Sequence, residues 1–165
     1  MRRFLAPLFV ALLAAVGAFI LATSAELPER VASHFVRGGQ ANGWMPRDAY
    51  LVFILIVAIG VPLVVVALLA WLPRVFPRVV SLPNGAYWLE PERRDATLRS
   101  IGGFAWAFGC VLTLFIGGVH AALIAANART PPALSESALE ALLAAFLLAI
   151  AGWVAAWCLR FRRPR

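Results

Sequence analysis

Few side chains in this sequence have the chemistry for a functional site. Histidine, the one residue type that titrates near neutrality unperturbed, occurs twice, as His34 and His120. His34 lies in a polar run, LPERVASHFVRGGQANGW, covering residues 27–44. Exposed between long apolar runs, it has the chemistry to sense protons, touch a ligand or ligate a metal. A plainer reading is a hydrogen-bonded histidine that holds the loop in shape. Glu26, Glu29 and Asp48 are near it in sequence, but no recognised zinc spacing links them, so no metal or cofactor is expected. Cys110 and Cys158 lack a CxxC partner and are expected at different depths in apolar segments, too far apart for a disulfide. No nucleophile with an adjacent base is visible. Catalytic residues are therefore expected to be absent, and the protein is expected not to be an enzyme.

The segments that position these residues are apolar. The chain has 165 residues, 62% of them hydrophobic and 14% charged, with a mean hydropathy of +0.85. A water-soluble domain usually has about 25% charged residues. The apolar residues gather in four runs, about 4–24, 50–72, 101–126 and 138–159, each long enough to cross a hydrocarbon core of roughly 30 Å. The first run follows Met1-Arg2-Arg3 and ends in Ala22-Thr23-Ser24-Ala25. A signal peptide shares those features, but its apolar core is usually nearer 7–15 residues, so a retained helix is expected. The reading is one all-α integral membrane domain over 1–165, with four transmembrane helices, a motif loop at 25–48 and a connector at 73–100. No intramembrane carboxylate suits proton-coupled transport. The net charge of +7 clusters at the ends of the runs, which marks topology and not nucleic-acid binding.

Arginine placement sets the expected orientation. Arg2, Arg3, Arg74, Arg78, Arg93, Arg94, Arg99, Arg160, Arg162, Arg163 and Arg165 fall in the N-terminus, connector and C-terminal tail, whereas the other loops hold Arg30, Arg37, Arg47 and Arg129. Both termini are expected in the cytoplasm and the 25–48 loop outside.

Within that loop, a strand over Val31–Val36 with Gly38-Gly39 and Asn42-Gly43 predicts a short β-hairpin, both glycine steps supplying positive φ. Leu27, Val31, Phe35 and Trp44 are expected to lay apolar surface on the helix ends. Gly60 and Pro62 predict a kink in the second span. Pro83-Asn84-Gly85 predicts a turn and Pro91 a helix start. Glu90 with Arg94 and Asp95 with Arg99 form i,i+4 pairs. Tyr87 and Trp88 suit the headgroup level. Ala105, Gly109, Thr113, Gly117, Ala121 and Ala125 recur every four residues, a small-residue stripe for close helix packing. Ser137 and Glu140 predict a capping box for the fourth span.

Two stretches resemble a known family. Leu27, Pro28, His34, Phe35, Gly39, Gly43 and Trp44 match, in spacing, a motif of domain of unknown function 1648. The chain differs from the family pattern at Ala32, Val36, Gln40 and Asn42. A second stretch, LPNGAYWLEPERRDATL, resembles a cytoplasmic connector of four-helix members of the same broad group. The resemblance implies the N-terminal module of SdpI-like proteins, multi-pass in the bacterial cytoplasmic membrane, some of them immunity or signalling proteins against a secreted toxin. It implies a sensing, immunity or regulatory role through the loop, with His34, Phe35, Gly39, Gly43 and Trp44 as motif residues. The implied partners are the lipid bilayer and a peptide toxin, a regulator or another membrane protein. The alternative is an accessory subunit of a transporter or other membrane complex.

Overall fold

A computed structural model describes residues 4–76 and 80–162. Arg2, Arg3, Arg78, Arg163 and Arg165, which carry part of the orientation argument, lie outside the described residues. Four helices are long and apolar enough to cross a membrane: α1 (Leu5–Ser24), α2 (Arg47–Val75), α3 (Pro91–Asn127) and α4 (Glu136–Phe161). A multi-pass membrane protein follows from their length and composition. Between α1 and α2 stands a two-stranded antiparallel hairpin, β1 (Arg30–Phe35) and β2 (Ala41–Pro46). Helix α3 is the centre of the bundle, packing on α1, α2 and α4.

The second span is disturbed where Gly60 and Pro62 predict it. Residues Ile56–Gly60 form a π-helical turn inside α2. Pro62 has no N–H to offer the carbonyl four residues back, and its ring crowds that carbonyl. A wider turn just before the proline accommodates both effects.

The helix expected to start at Pro91 does so and runs unbroken through the third span to Asn127, because no residue between them breaks it. Two local expectations are corrected. The ion pair formed by Glu90 is with Arg93, not Arg94. Glu90 is the extended N-cap residue, with ψ 147°, and a side chain there reaches the first turn instead of an i+4 neighbour. Among the described residues this is the one ion pair, so Asp95 and Arg99 do not form one. The cap of α4 is Ser135, not Ser137. Ser135 is extended, and its Oγ accepts from the Ala138 N–H at 3.3 Å, satisfying one of the free donors of the first turn.

The small-residue stripe divides in two. Ala105, Gly109, Thr113 and Gly117 are buried, whereas Ala121 and Ala125 are exposed. An α-helix turns about 100° per residue, so a four-residue repeat drifts by about 40° at each step. Over five steps the stripe swings away from its partners. Gly109 admits Val66 of α2 and Phe9 of α1: a Cβ there would stand 2.4 Å and 2.8 Å from their side chains. Gly117 faces Val16 of α1 at 3.2 Å. Thr113 is fully buried and donates its hydroxyl to the Gly109 carbonyl at 2.8 Å.

Helix α4 is seated on one side only. Leu142 sits over Gly118, Phe146 stacks on Phe115 with ring centroids 4.3 Å apart, and the Trp153 indole N–H donates to the Phe104 carbonyl at 2.9 Å. Far from the hairpin, the helical turn Gly85–Trp88 docks on the end of α4 through the Trp88 indole, which donates to the Phe161 carbonyl at 2.6 Å. The hairpin and this connector therefore occupy opposite ends of the bundle. Cys110 is a buried free thiol and Cys158 an exposed one.

Candidate functional site

The hairpin end brings together the motif residues and several polar groups from distant parts of the chain. The turn lies at Val36–Gly39, where the Gly39 N–H donates to the Val36 carbonyl at 2.9 Å. Gly38 and Gly39 have φ of 92° and 76°, values that glycine adopts at little cost. Asn42-Gly43 is not a turn, contrary to expectation. Gly43 lies inside β2 opposite His34 and has no positive φ. Its need for glycine is one of space, since a Cβ would stand 2.9 Å from the His34 Cβ.

The register slips twice, between Ala32 and His34 and again between His34 and Phe35. Such irregularities leave an extra residue in a strand and re-aim side chains. Here Ser33 is extra on β1 and Asn42 on β2. The Asn42 Oδ1 then lies 2.6 Å from the His34 Nδ1. The His34 Nδ1 thus carries the proton and donates to that amide oxygen, an acceptor. The side chain remains exposed to solvent.

One side of the hairpin is fixed to the bundle. Leu27 and Val31 are buried with Ile20, Tyr50, Ile54 and Ile116. Phe35 is half-buried, whereas Trp44 is 48% exposed. Trp44 is therefore not part of the apolar seal expected of it; Leu27, Val31 and Ala32 are the buried hydrophobic residues of this segment. Asn127, the last residue of α3, holds β1 as a third strand would. Its Oδ1 accepts from the Ala32 N–H at 2.8 Å, and its Nδ2 donates to the Ala32 carbonyl at 3.0 Å. The turn is held in the same way: the Leu134 N–H donates to the Gly39 carbonyl at 2.8 Å, and the Gly38 N–H to the Glu136 carboxylate at 2.5 Å. Arg47 closes the base, its side chain donating to the Leu27 carbonyl at 3.2 Å.

His120 lies beneath the hairpin in a separate set, with His120 and Tyr50 fully buried and Thr23 half-buried. The Thr23 hydroxyl donates to the Phe19 carbonyl at 2.7 Å. Its single proton is thereby used, so its oxygen accepts from the His120 Nε2–H at 2.8 Å. The His120 Nδ1 is then an acceptor and receives the Tyr50 O–H at 2.7 Å. Both ring nitrogens are occupied in the neutral form. The chain Tyr50–His120–Thr23 ties α2, α3 and α1 together. Interhelical bonds of this kind contribute on average about 0.6 kcal/mol each in a membrane, up to about 1.7. The two histidines thus belong to different sets, one exposed and one a buried brace. Among the described residues, no three His, Cys, Asp or Glu side chains gather in metal-binding range.

Sequence reasoning missed Asn127, Glu136, Thr23 and Tyr50. Asn127 had one signal, a polar amide at the end of an apolar run. Thr23 and Tyr50 stand at run ends, where polar residues are ordinary, so nothing local set them apart.

A family model, domain of unknown function (DUF1648), matches residues 8–60. The matched segment covers most of α1, the whole hairpin and the first half of α2 through the π-helical turn. No curated protein and no solved structure matches the chain.

Proposed function

We propose that this chain, whose residues 8–60 carry the DUF1648 segment, is a non-catalytic membrane protein that receives an extended peptide on its hairpin. One observation carries the reading: the two edges of the sheet are unlike. Ala32 turns both its N–H and its C=O out of the strand pair, to Asn127. In an antiparallel pair, the residue opposite such a position also turns its own two groups outward, on the other side. That residue is Trp44. Among the described residues the sheet has two strands; the 133–134 segment bridges the chain at Gln40, just before β2 begins, and no strand lies beside Trp44 itself. An extended peptide joins an open edge by main-chain hydrogen bonds, with side chains alongside providing specificity. Trp44 offers ring area, and the His34–Asn42 pair offers polar contacts. A secreted peptide toxin or a peptide regulator fits this surface, in a sensing, immunity or regulatory role.

The same reading puts both termini in the cytoplasm and the hairpin outside a bacterial cytoplasmic membrane, supported by the crowding of arginines at the opposite end. In a Cys110→Ser, Cys158→Ser background, Asn42→Cys is expected to react with a membrane-impermeant maleimide in intact cells. Reaction only after permeabilisation reverses the orientation.

A photo-reactive phenylalanine analogue at Trp44 is expected to cross-link a peptide-sized species in vivo. His34→Ala is expected to lower that yield severalfold at unchanged abundance. An unchanged yield removes His34 from the recognition surface, and a yield that falls only with abundance makes His34 a structural residue. The second reading, an accessory subunit of a transporter or other membrane complex, draws on α4, whose apolar window is 0% buried. Cross-links to a second membrane protein from Leu148, which is 73% exposed, with none from Trp44, favour it.

A further inference from the structure

At the connector end, α2, α3 and α4 leave a groove of about 240 Å³ between them, lined by Leu68, Leu72, Pro73, Ile101, Trp153 and Trp157 among others. Its wall is almost wholly hydrocarbon and indole. Apolar spaces of this kind do not hold water but do take apolar molecules. A charged mouth adjoins it. Arg74 follows Pro73 of the groove wall, and its guanidinium lies 3.3 Å from where a Cβ of Gly102 would stand, one residue beyond Ile101. Arg74, Arg94 and Arg99 line a polar recess of about 370 Å³ together with Asp95 and Leu98. Three guanidiniums face one carboxylate there, leaving the recess positive. The ion pair of the described residues, Glu90 with Arg93, does not line it. Arginine forks match phosphate oxygens in shape as well as charge.

We propose that this end of the protein binds one anionic phospholipid, with its phosphate among Arg74, Arg94 and Arg99 and one acyl chain in the groove between α2 and α4. The charge complementarity of the mouth and the hydrocarbon lining of the groove meet in a single amphipathic molecule. A soluble anion has no chain for the groove, and a zwitterionic lipid such as phosphatidylcholine sets its choline cation against the arginines. The inference is independent of the peptide reading, which concerns the other end of the bundle.

The test uses the full chain, purified in a mild detergent, and native mass spectrometry with dioleoylphosphatidylglycerol or dioleoylphosphatidylcholine. The wild type is expected to retain one phosphatidylglycerol at about tenfold lower lipid concentration than phosphatidylcholine, whose phosphate brings a choline cation into a recess that is already positive. Arg94→Gln with Arg99→Gln, both at exposed positions, is expected to abolish that preference while leaving the thermal melt unchanged. Leu68→Trp, which fills the groove from an exposed position, is expected to lower retention with the arginines intact. Inorganic phosphate at millimolar concentration is expected not to displace the lipid. Equal retention of the two lipids by the wild type overturns the proposal, as does a preference that survives the double substitution. Retention unchanged by Leu68→Trp removes the chain from the groove, and displacement by inorganic phosphate reduces the site to one for a free ion; either result overturns the proposal.

Discussion

Gly109→Leu is expected to prevent stable assembly of the bundle, at a cost of about 3 kcal/mol or more. Even small excess volume in a packed interior costs about 1–3 kcal/mol. Here the first added carbon already stands 2.4 Å from Val66 and 2.8 Å from Phe9, both essentially buried. Neither has room to retreat, since Phe9 also packs on Trp106 with ring centroids 5.5 Å apart. Relief requires α1 or α2 to move off α3. Gly109→Ala should show most of the effect, because the clash begins at Cβ. Gly117→Ala is expected to cost much less, its Cβ meeting the two Val16 methyls at 3.2 and 3.4 Å. Gly152→Ala, which meets nothing within 4 Å, should be neutral or stabilising by up to about 1 kcal/mol of helix propensity. Thermal unfolding in detergent, followed by circular dichroism, orders the variants. A Gly109→Leu melt equal to that of wild type means that α3 does not meet α1 and α2 at this glycine.

The expected ordering of those variants shows where sequence reasoning is strong and where it stops. Apolar run length identifies the helices because a membrane demands length and hydrophobicity from a continuous segment. It does not set their ends. Helix α2 begins at Arg47 and α3 at Pro91, since a helix continues into water for as long as no residue breaks it. A four-residue stripe identifies small residues on α3, but the drift of the helix decides which of them meet a partner. Ala105 and Gly117 are buried while Ala121 and Ala125 are not.

At the hairpin end the limit is different. Gly38-Gly39 and Asn42-Gly43 are equivalent turn signals by local rules. The choice between them is made by Leu134 and Glu136, nearly a hundred residues away, which accept the turn at Gly38 and Gly39. His120 is similar. Its partners are 97 and 70 residues distant, and a lone histidine in a span carries no mark of whether it is a brace or a site. His34 is the reverse case. Its exposure in a polar loop is legible, and its Asn42 partner follows only from two slips of register that no sequence pattern announces.

Gly39→Val is expected to release the hairpin from the 133–136 segment without unfolding the bundle. Two costs coincide. At φ 76° a residue with a Cβ pays about 1–2 kcal/mol against the following carbonyl, and a β-branched one more. The Cβ would also stand 2.2 Å from the Leu134 carbonyl oxygen. That oxygen is backbone and cannot turn aside as a side chain does, so the two segments must part. With them go the Leu134 to Gly39 hydrogen bond, the Gln40–Ala133 bridge and the Glu136 contact to Gly38. Gly38→Val is the internal control, with φ 92° but nothing within 4 Å of its Cβ; it suffers the backbone cost alone. Hydrogen exchange over residues 36–46 reads the difference. Gly39→Val is expected to lose protection on the order of a hundredfold, about 2.8 kcal/mol of local opening at 1.4 kcal/mol per factor of ten, and Gly38→Val roughly tenfold. Protection in the body of α3 should be unchanged, because Asn127 and the buried Val31 still hold the base of β1. Equal protection in Gly39→Val and wild type would falsify the docking of the turn on residues 133–136. Loss of protection throughout α3 would instead make the hairpin part of the bundle's cooperative core, too tightly joined to it to respond to a ligand on its own.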